Sequence, residues 1–82
     1  MVTVYSRNIC PKCMFVKSEL EQAGIQYEEV NMDKDEQAKE RMKEMGFMAA
    51  PIVDFDGHFE PDVFKSLQII TEIVEKRELQ QA

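Results

Sequence analysis

Cys10-Pro11-Lys12-Cys13 sits at the junction between a short β-rich run, residues 2–5 (VTVY), and a segment with helical spacing. Proline is favoured at the first helical position, because its missing N–H would have been unpaired there anyway. A helix is therefore expected to open at Pro11. Phe15, Val16, Leu20 and Ala23 supply its apolar stripe, and Gly24 ends it. This register puts both sulfurs on one helical turn, close enough to form a disulfide. It also makes the two cysteines unequal. Cys10 falls at the helix cap, where free backbone N–H groups and the positive end of the helix dipole favour a thiolate. Arg7, Pro11 and Lys12 are the residues expected to shape that field. Cys13 falls one turn in and should be more buried. Its expected task is to attack a mixed disulfide formed by Cys10, releasing a reduced product. The competing reading is half of a zinc site. Two cysteines and the single His58 cannot fill four ligand positions without carboxylates or a second chain.

The rest of the chain supplies the frame. Residues 25–31 (IQYEEVN) suit a second strand. Asp33 stands three residues before Glu36 in a capping-box spacing, ahead of a charged helix over residues 34–45 whose apolar face is Ala38, Met42 and Met45. Gly46 closes it. A loop over residues 47–50 runs into Pro51, and Ile52, Val53 and Phe55 form a third strand. Asp56-Gly57 is a two-residue hairpin signal that returns the chain through His58 and Phe59. Pro61-Asp62 opens a third helix with Val63, Phe64, Leu67, Ile70, Ile73 and Val74 on one face, fraying after about Arg77. The order is β-α-β-α-β-β-α. A right-handed parallel crossover and an antiparallel hairpin give an α/β fold, a mixed four-stranded sheet flanked by helices.

Length and charge narrow the function. At 82 residues, a single domain over residues 1–82 is expected, and two cysteines are too few for a disulfide-stapled scaffold. Without a signal-peptide pattern or an apolar run of membrane length, a cytoplasmic chain with no membrane contact is expected. A net charge of −6 argues against nucleic acid. Yet residues 1–18 hold Arg7, Lys12 and Lys17 and no acid, so the positive end is also the cysteine end.

Other residues are weighed against plainer roles. Pro51 is either an ordinary trans proline opening a strand or a cis proline leaving the Ala50 backbone free to pair with an extended substrate. His58 reads as an exposed turn residue. The six methionines read as core filler, except Met48, placed for the rim of the site.

The pieces VTVYSRNICPKC, YEEVNMDKD, GFMAAPIV and Pro61-Asp62 together resemble the glutaredoxin-like proteins of the thioredoxin fold, and most closely the NrdH-redoxins. The resemblance implies a dithiol carrier with a redox-active Cys10–Cys13 disulfide, no bound cofactor and no metal. It implies reduction by thioredoxin reductase with NADPH and electron delivery to class Ib ribonucleotide reductase. It also implies a cis bond at Ala50–Pro51, and a monomer is expected. The chain departs from the pattern in carrying Pro11-Lys12 between its cysteines. A shorter hairpin without tryptophan precedes Pro61-Asp62.

Ala50, Pro51, Phe59, Glu60, Pro61 and Asp62 are the expected substrate-binding residues. In glutathione-dependent members two glycines occupy the positions of Phe59 and Glu60. A phenyl ring and a carboxylate there should keep glutathione from the backbone and repel its carboxylate. Weak or absent glutathione binding and a protein-disulfide substrate are therefore expected. The alternatives are a glutathione-dependent glutaredoxin and an iron–sulfur-bridged dimer.

Overall fold

Val2–Ser6 forms β1, and four of its five residues are buried, as a strand covered on both faces requires. It runs parallel to β2 (Tyr27–Asn31) on one side and antiparallel to β3 (Ile52–Phe55) on the other. β4 (His58–Glu60) pairs antiparallel with β3, so the sheet order is β2-β1-β3-β4. The β3–β4 turn is made by Asp56 and Gly57, both at positive φ, with the Asp54 carboxylate accepting the Gly57 N–H at 2.7 Å. These are the backbone angles that favour Asp-Gly in two-residue hairpins. This computed structural model describes residues 1–81.

The helices are α1 (Pro11–Gln22), α2 (Glu36–Glu44) and α3 (Val63–Gln81). They cover two apolar clusters. Val2, Val4, Val16, Leu20, Val53 and Ile70 join β1 and β3 to α1 and α3. Tyr5, Met32, Ala38, Met42 and Ile52 join the other face to α2. The element order is the expected one. No helix among the described residues is long and apolar enough to cross a membrane.

Three local expectations change. Asp33 does not cap α2. That position belongs to Asp35, whose Oδ1 accepts the Ala38 N–H at 3.1 Å. Asp33 is drawn instead to Arg7, 26 residues away in sequence. Met45 is exposed and leaves the apolar face to Ala38 and Met42. α3 continues past Arg77 instead of fraying, and the Arg77 guanidinium donates to the Ala23 carbonyl at the C-terminal end of α1. That contact satisfies one of the carbonyls a helix end leaves open.

Two surface carboxylates tie the frame together. Glu29 Oε2 accepts from Lys17 Nζ at 2.8 Å and from the buried Ser6 hydroxyl at 2.7 Å, and these bonds hold its pKa below the usual carboxylate range. Asp33 is depressed likewise, first by Arg7 and then by the Asn8 N–H. Folded values below the unfolded ones mean stabilisation that is complete above the unfolded pKa and is lost as pH falls through the folded one. The stability difference between the wild type and Glu29→Gln should therefore narrow in urea titrations run from pH 6 down to pH 3. A difference independent of pH would show that the Glu29 charge adds nothing.

Candidate redox site

β1 ends at Ser6, and the next three residues carry the chain from the middle of the sheet to the head of α1. The loop is held from the side. Asp33 Oδ1 accepts Arg7 Nη2 at 2.7 Å and Nε at 3.1 Å, and its Oδ2 accepts the Asn8 N–H at 2.8 Å. Asn31 Nδ2 donates to Asn8 Oδ1 at 2.9 Å, and Asn31 Oδ1 takes the Asp33 N–H. The end of β2 thus clasps the approach to Cys10. No local pattern in the sequence signals this clasp, because its halves lie more than twenty residues apart.

Cys10 is the N-cap of α1, Pro11 is its first residue, and the two cysteines are joined by a disulfide. Cys10 Sγ accepts the Cys13 N–H at 3.1 Å. The sulfur therefore occupies the place where a helix N-terminus offers unpaired donors. Cys10 is partly exposed, whereas Cys13 is 1% exposed beneath it.

The cationic end seen in the sequence is largely compensated in the fold. Arg7 is bound to Asp33 and Lys17 to Glu29. Of the three, Lys12 is the one that makes no ion pair among the described residues. Arg7 was expected to add to the positive field at Cys10. The Asp33 carboxylate offsets it instead, and raises its pKa further through the shared hydrogen bond.

The Ala50–Pro51 peptide is cis, with Pro51 buried and Ala50 half-buried. Ala50, Pro51, Pro61 and Asp62 share a groove of about 460 Å³ with Lys12 and Phe15. Asp62 Oδ1 accepts the Lys65 N–H at 3.1 Å, at the head of α3. Phe15 and Phe64 were expected in the core stripes of their helices. Both are exposed, Phe64 at 79%, and both line this groove. Met48 is also exposed, at 76%, on the loop that leads to it.

Phe59 and Glu60 do not stand in the groove. The Phe59 ring packs 6.3 Å from both Tyr5 and Phe47, centroid to centroid, in the α2-side core. Glu60 is buried, and its carboxylate accepts the Asp62 N–H at 3.1 Å and lies 3.2 Å from His58 Nε2. Alternation along β4 explains the pair, since neighbouring residues of a strand face opposite sides of the sheet. The expected exclusion of glutathione by direct contact changes accordingly: the half-buried Phe59 ring packs against the α2-side core, the Glu60 carboxylate is turned inward, and neither lines the groove. Among the described residues no His, Cys, Asp and Glu side chains gather as a metal site.

The glutaredoxin family model matches residues 2–60. A glutaredoxin-like protein NrdH of Lactococcus lactis is 45% identical over 56 residues, 68% of this chain and 78% of the relative. The NrdH protein of Escherichia coli is 32% identical over 71 residues, 80% of this chain and 86% of the relative. Among solved structures, the Escherichia coli NrdH-redoxin, described as a glutaredoxin-like protein with a thioredoxin-like activity profile, superposes with a TM-score of 0.73. It is 26% identical, over 83% of this chain and 92% of that one. A thioredoxin-like protein superposes at 0.75 with 29% identity, over 87% of this chain and 99% of that one. The architecture is the thioredoxin fold. By sequence and by structure alike the chain belongs to the glutaredoxin family, and its paired cysteines make it a thiol–disulfide redox protein.

Proposed function

We propose that the protein is a dithiol electron carrier that reduces protein disulfides. One observation carries the reading: Cys10, the more exposed cysteine, sits at the head of a helix, while Cys13 lies buried below. Cys10 is the attacking thiol and Cys13 the resolving one. Lys12 supplies positive charge beside them, Pro11 sets the helix start, and Arg7 holds the loop through Asp33. Ala50, Pro51, Pro61 and Asp62 receive the substrate segment, and Phe59 and Glu60 support that wall from within.

Residues 1–82 act as one domain, as a monomer in the cytoplasm, with no bound cofactor. The likeness to NrdH proteins supports thioredoxin reductase as the electron donor and class Ib ribonucleotide reductase as the acceptor. Oxidised protein offered NADPH with thioredoxin reductase should turn over quickly, and slowly with glutathione and glutathione reductase. NADPH absorbance follows both reactions. Fast turnover with glutathione alone would overturn the reading in favour of a glutathione-dependent glutaredoxin, and comparable rates in both would overturn the claim of weak glutathione use.

A further inference from the structure

Beyond the groove at Pro51 lies a second, smaller cleft of about 190 Å³. Its apolar side is formed by Phe47, Met48 and Ala49, and its polar side by Lys39 and Lys43 of α2 together with Arg7. Ala49 lines both clefts, so they adjoin at the loop that leads to Pro51.

The charges of the second cleft are unusual for this chain. The whole molecule is at −6, yet Lys39 and Lys43, one helical turn apart, make no ion pair among the described residues. Asp33 answers Arg7 and also feels Lys39. Within the lining of the cleft, Lys39 and Lys43 are therefore left with no carboxylate at ion-pair distance. Glu36, Glu40 and Glu44 of the same helix line neither cleft.

An extended segment that pairs with the Ala50 backbone while its disulfide meets Cys10 would have one flank over Ala49 and into the second cleft. Apolar surface beside two unpaired lysines fits a flank that carries both an apolar side chain and carboxylates. We propose that this cleft is a docking subsite for an acidic segment flanking the acceptor's disulfide, so that the carrier selects acidic protein substrates despite its own negative charge. The inference rests on the protein-disulfide reading above.

The test uses pre-reduced protein in single-turnover reactions, which need no reductase. The substrates are disulfide-containing decapeptides, identical except for Glu-Glu or Gln-Gln on either flank of the disulfide. At low salt the Glu-Glu peptide of one flank should react about tenfold faster than its Gln-Gln counterpart, since two unpaired lysines act together on the two carboxylates. At about 0.5 M salt the preference should shrink to about twofold. In the double variant K39E/K43E it should vanish or invert, with the Gln-Gln rate unchanged. Both positions are exposed on α2, and a thermal melt checks that the variant remains folded. Equal rates for acidic and neutral peptides in the wild type, or an equal loss for both in the variant, would overturn the docking alone. Failure to reduce any peptide while glutathione mixed disulfides react would overturn the protein-disulfide reading and the docking with it.

Discussion

Cys13→Ser protein mixed with an oxidised protein substrate is expected to accumulate as a covalent mixed disulfide through Cys10, whereas Cys10→Ser is expected to be inert. The reason is access. Cys13 is 1% exposed and lies under the turn that Cys10 caps, so an external disulfide meets Cys10 alone. In the forward reaction the Cys10 thiolate attacks one sulfur of the acceptor. A new S–S bond forms, and the acceptor's other sulfur leaves as a thiolate and takes up a proton. The Cys13 thiolate then attacks Cys10, the mixed disulfide breaks, and the second acceptor thiol departs with the carrier oxidised. Two electrons have passed. Serine at position 13 stops the sequence after the first step. Serine at position 10 removes the nucleophile, and a loss on the order of a thousandfold or more is expected. Non-reducing electrophoresis and intact mass give the readout. Full turnover of protein disulfides by Cys13→Ser would refute the two-thiol sequence.

A comparably large effect on stability is expected at Leu20. Its side chain is fully buried between α1 and the sheet, against Val2, Val4, Val16, Val53 and Ile70. Leu20→Ala removes buried methyl groups and leaves a cavity, at a cost of about 3–5 kcal/mol. Total stabilities run at about 0.05–0.15 kcal/mol per residue, so a chain of this length loses about a quarter or more of its margin. Met45→Ala serves as the contrast, because Met45 is exposed and its truncation should change stability by less than about 0.5 kcal/mol. Urea unfolding of the oxidised protein measures both. A loss at Leu20 below about 1 kcal/mol would mean that this cluster is not where the fold's burial is concentrated.

The features that the sequence displayed clearly are those that act over a few residues. Pro11 after a β-rich run set the start of α1, and Asp56-Gly57 set the hairpin. The apolar spacing identified Val16, Leu20, Ala38, Met42 and Ile70 as core. What stayed hidden depends on distant partners. Asp33 and Asp35 offer the same short carboxylate ahead of the same helix, but Asp33 is taken by Arg7 and the Asn8 N–H beyond the neighbouring strand, and Asp35 makes the cap. Ser6 lies just past the β-rich run of residues 2–5, and only its pairing with Asn31 and its hydroxyl bond to Glu29 make it a buried strand residue. Phe15 and Phe64 match the helical period of their stripes, but the surface they meet ends at the groove beside Pro51, where the sheet no longer covers them. Phe59 and Glu60 show the same limit from the other direction. A motif position placed them at the site, and strand alternation sends the Phe59 ring toward the α2-side core and the Glu60 carboxylate to the other face.

The burial of Cys13 also governs traffic. If the protein is the carrier proposed above, one cysteine at the surface gives it a single port, and the partner that loads it and the partner that empties it must use that port in turn. Neither can wait on the molecule while the other is served. Throughput is then set by how quickly each visitor leaves as much as by how quickly it reacts, so surfaces around the port that hold a partner too firmly would slow the exchange they help to begin.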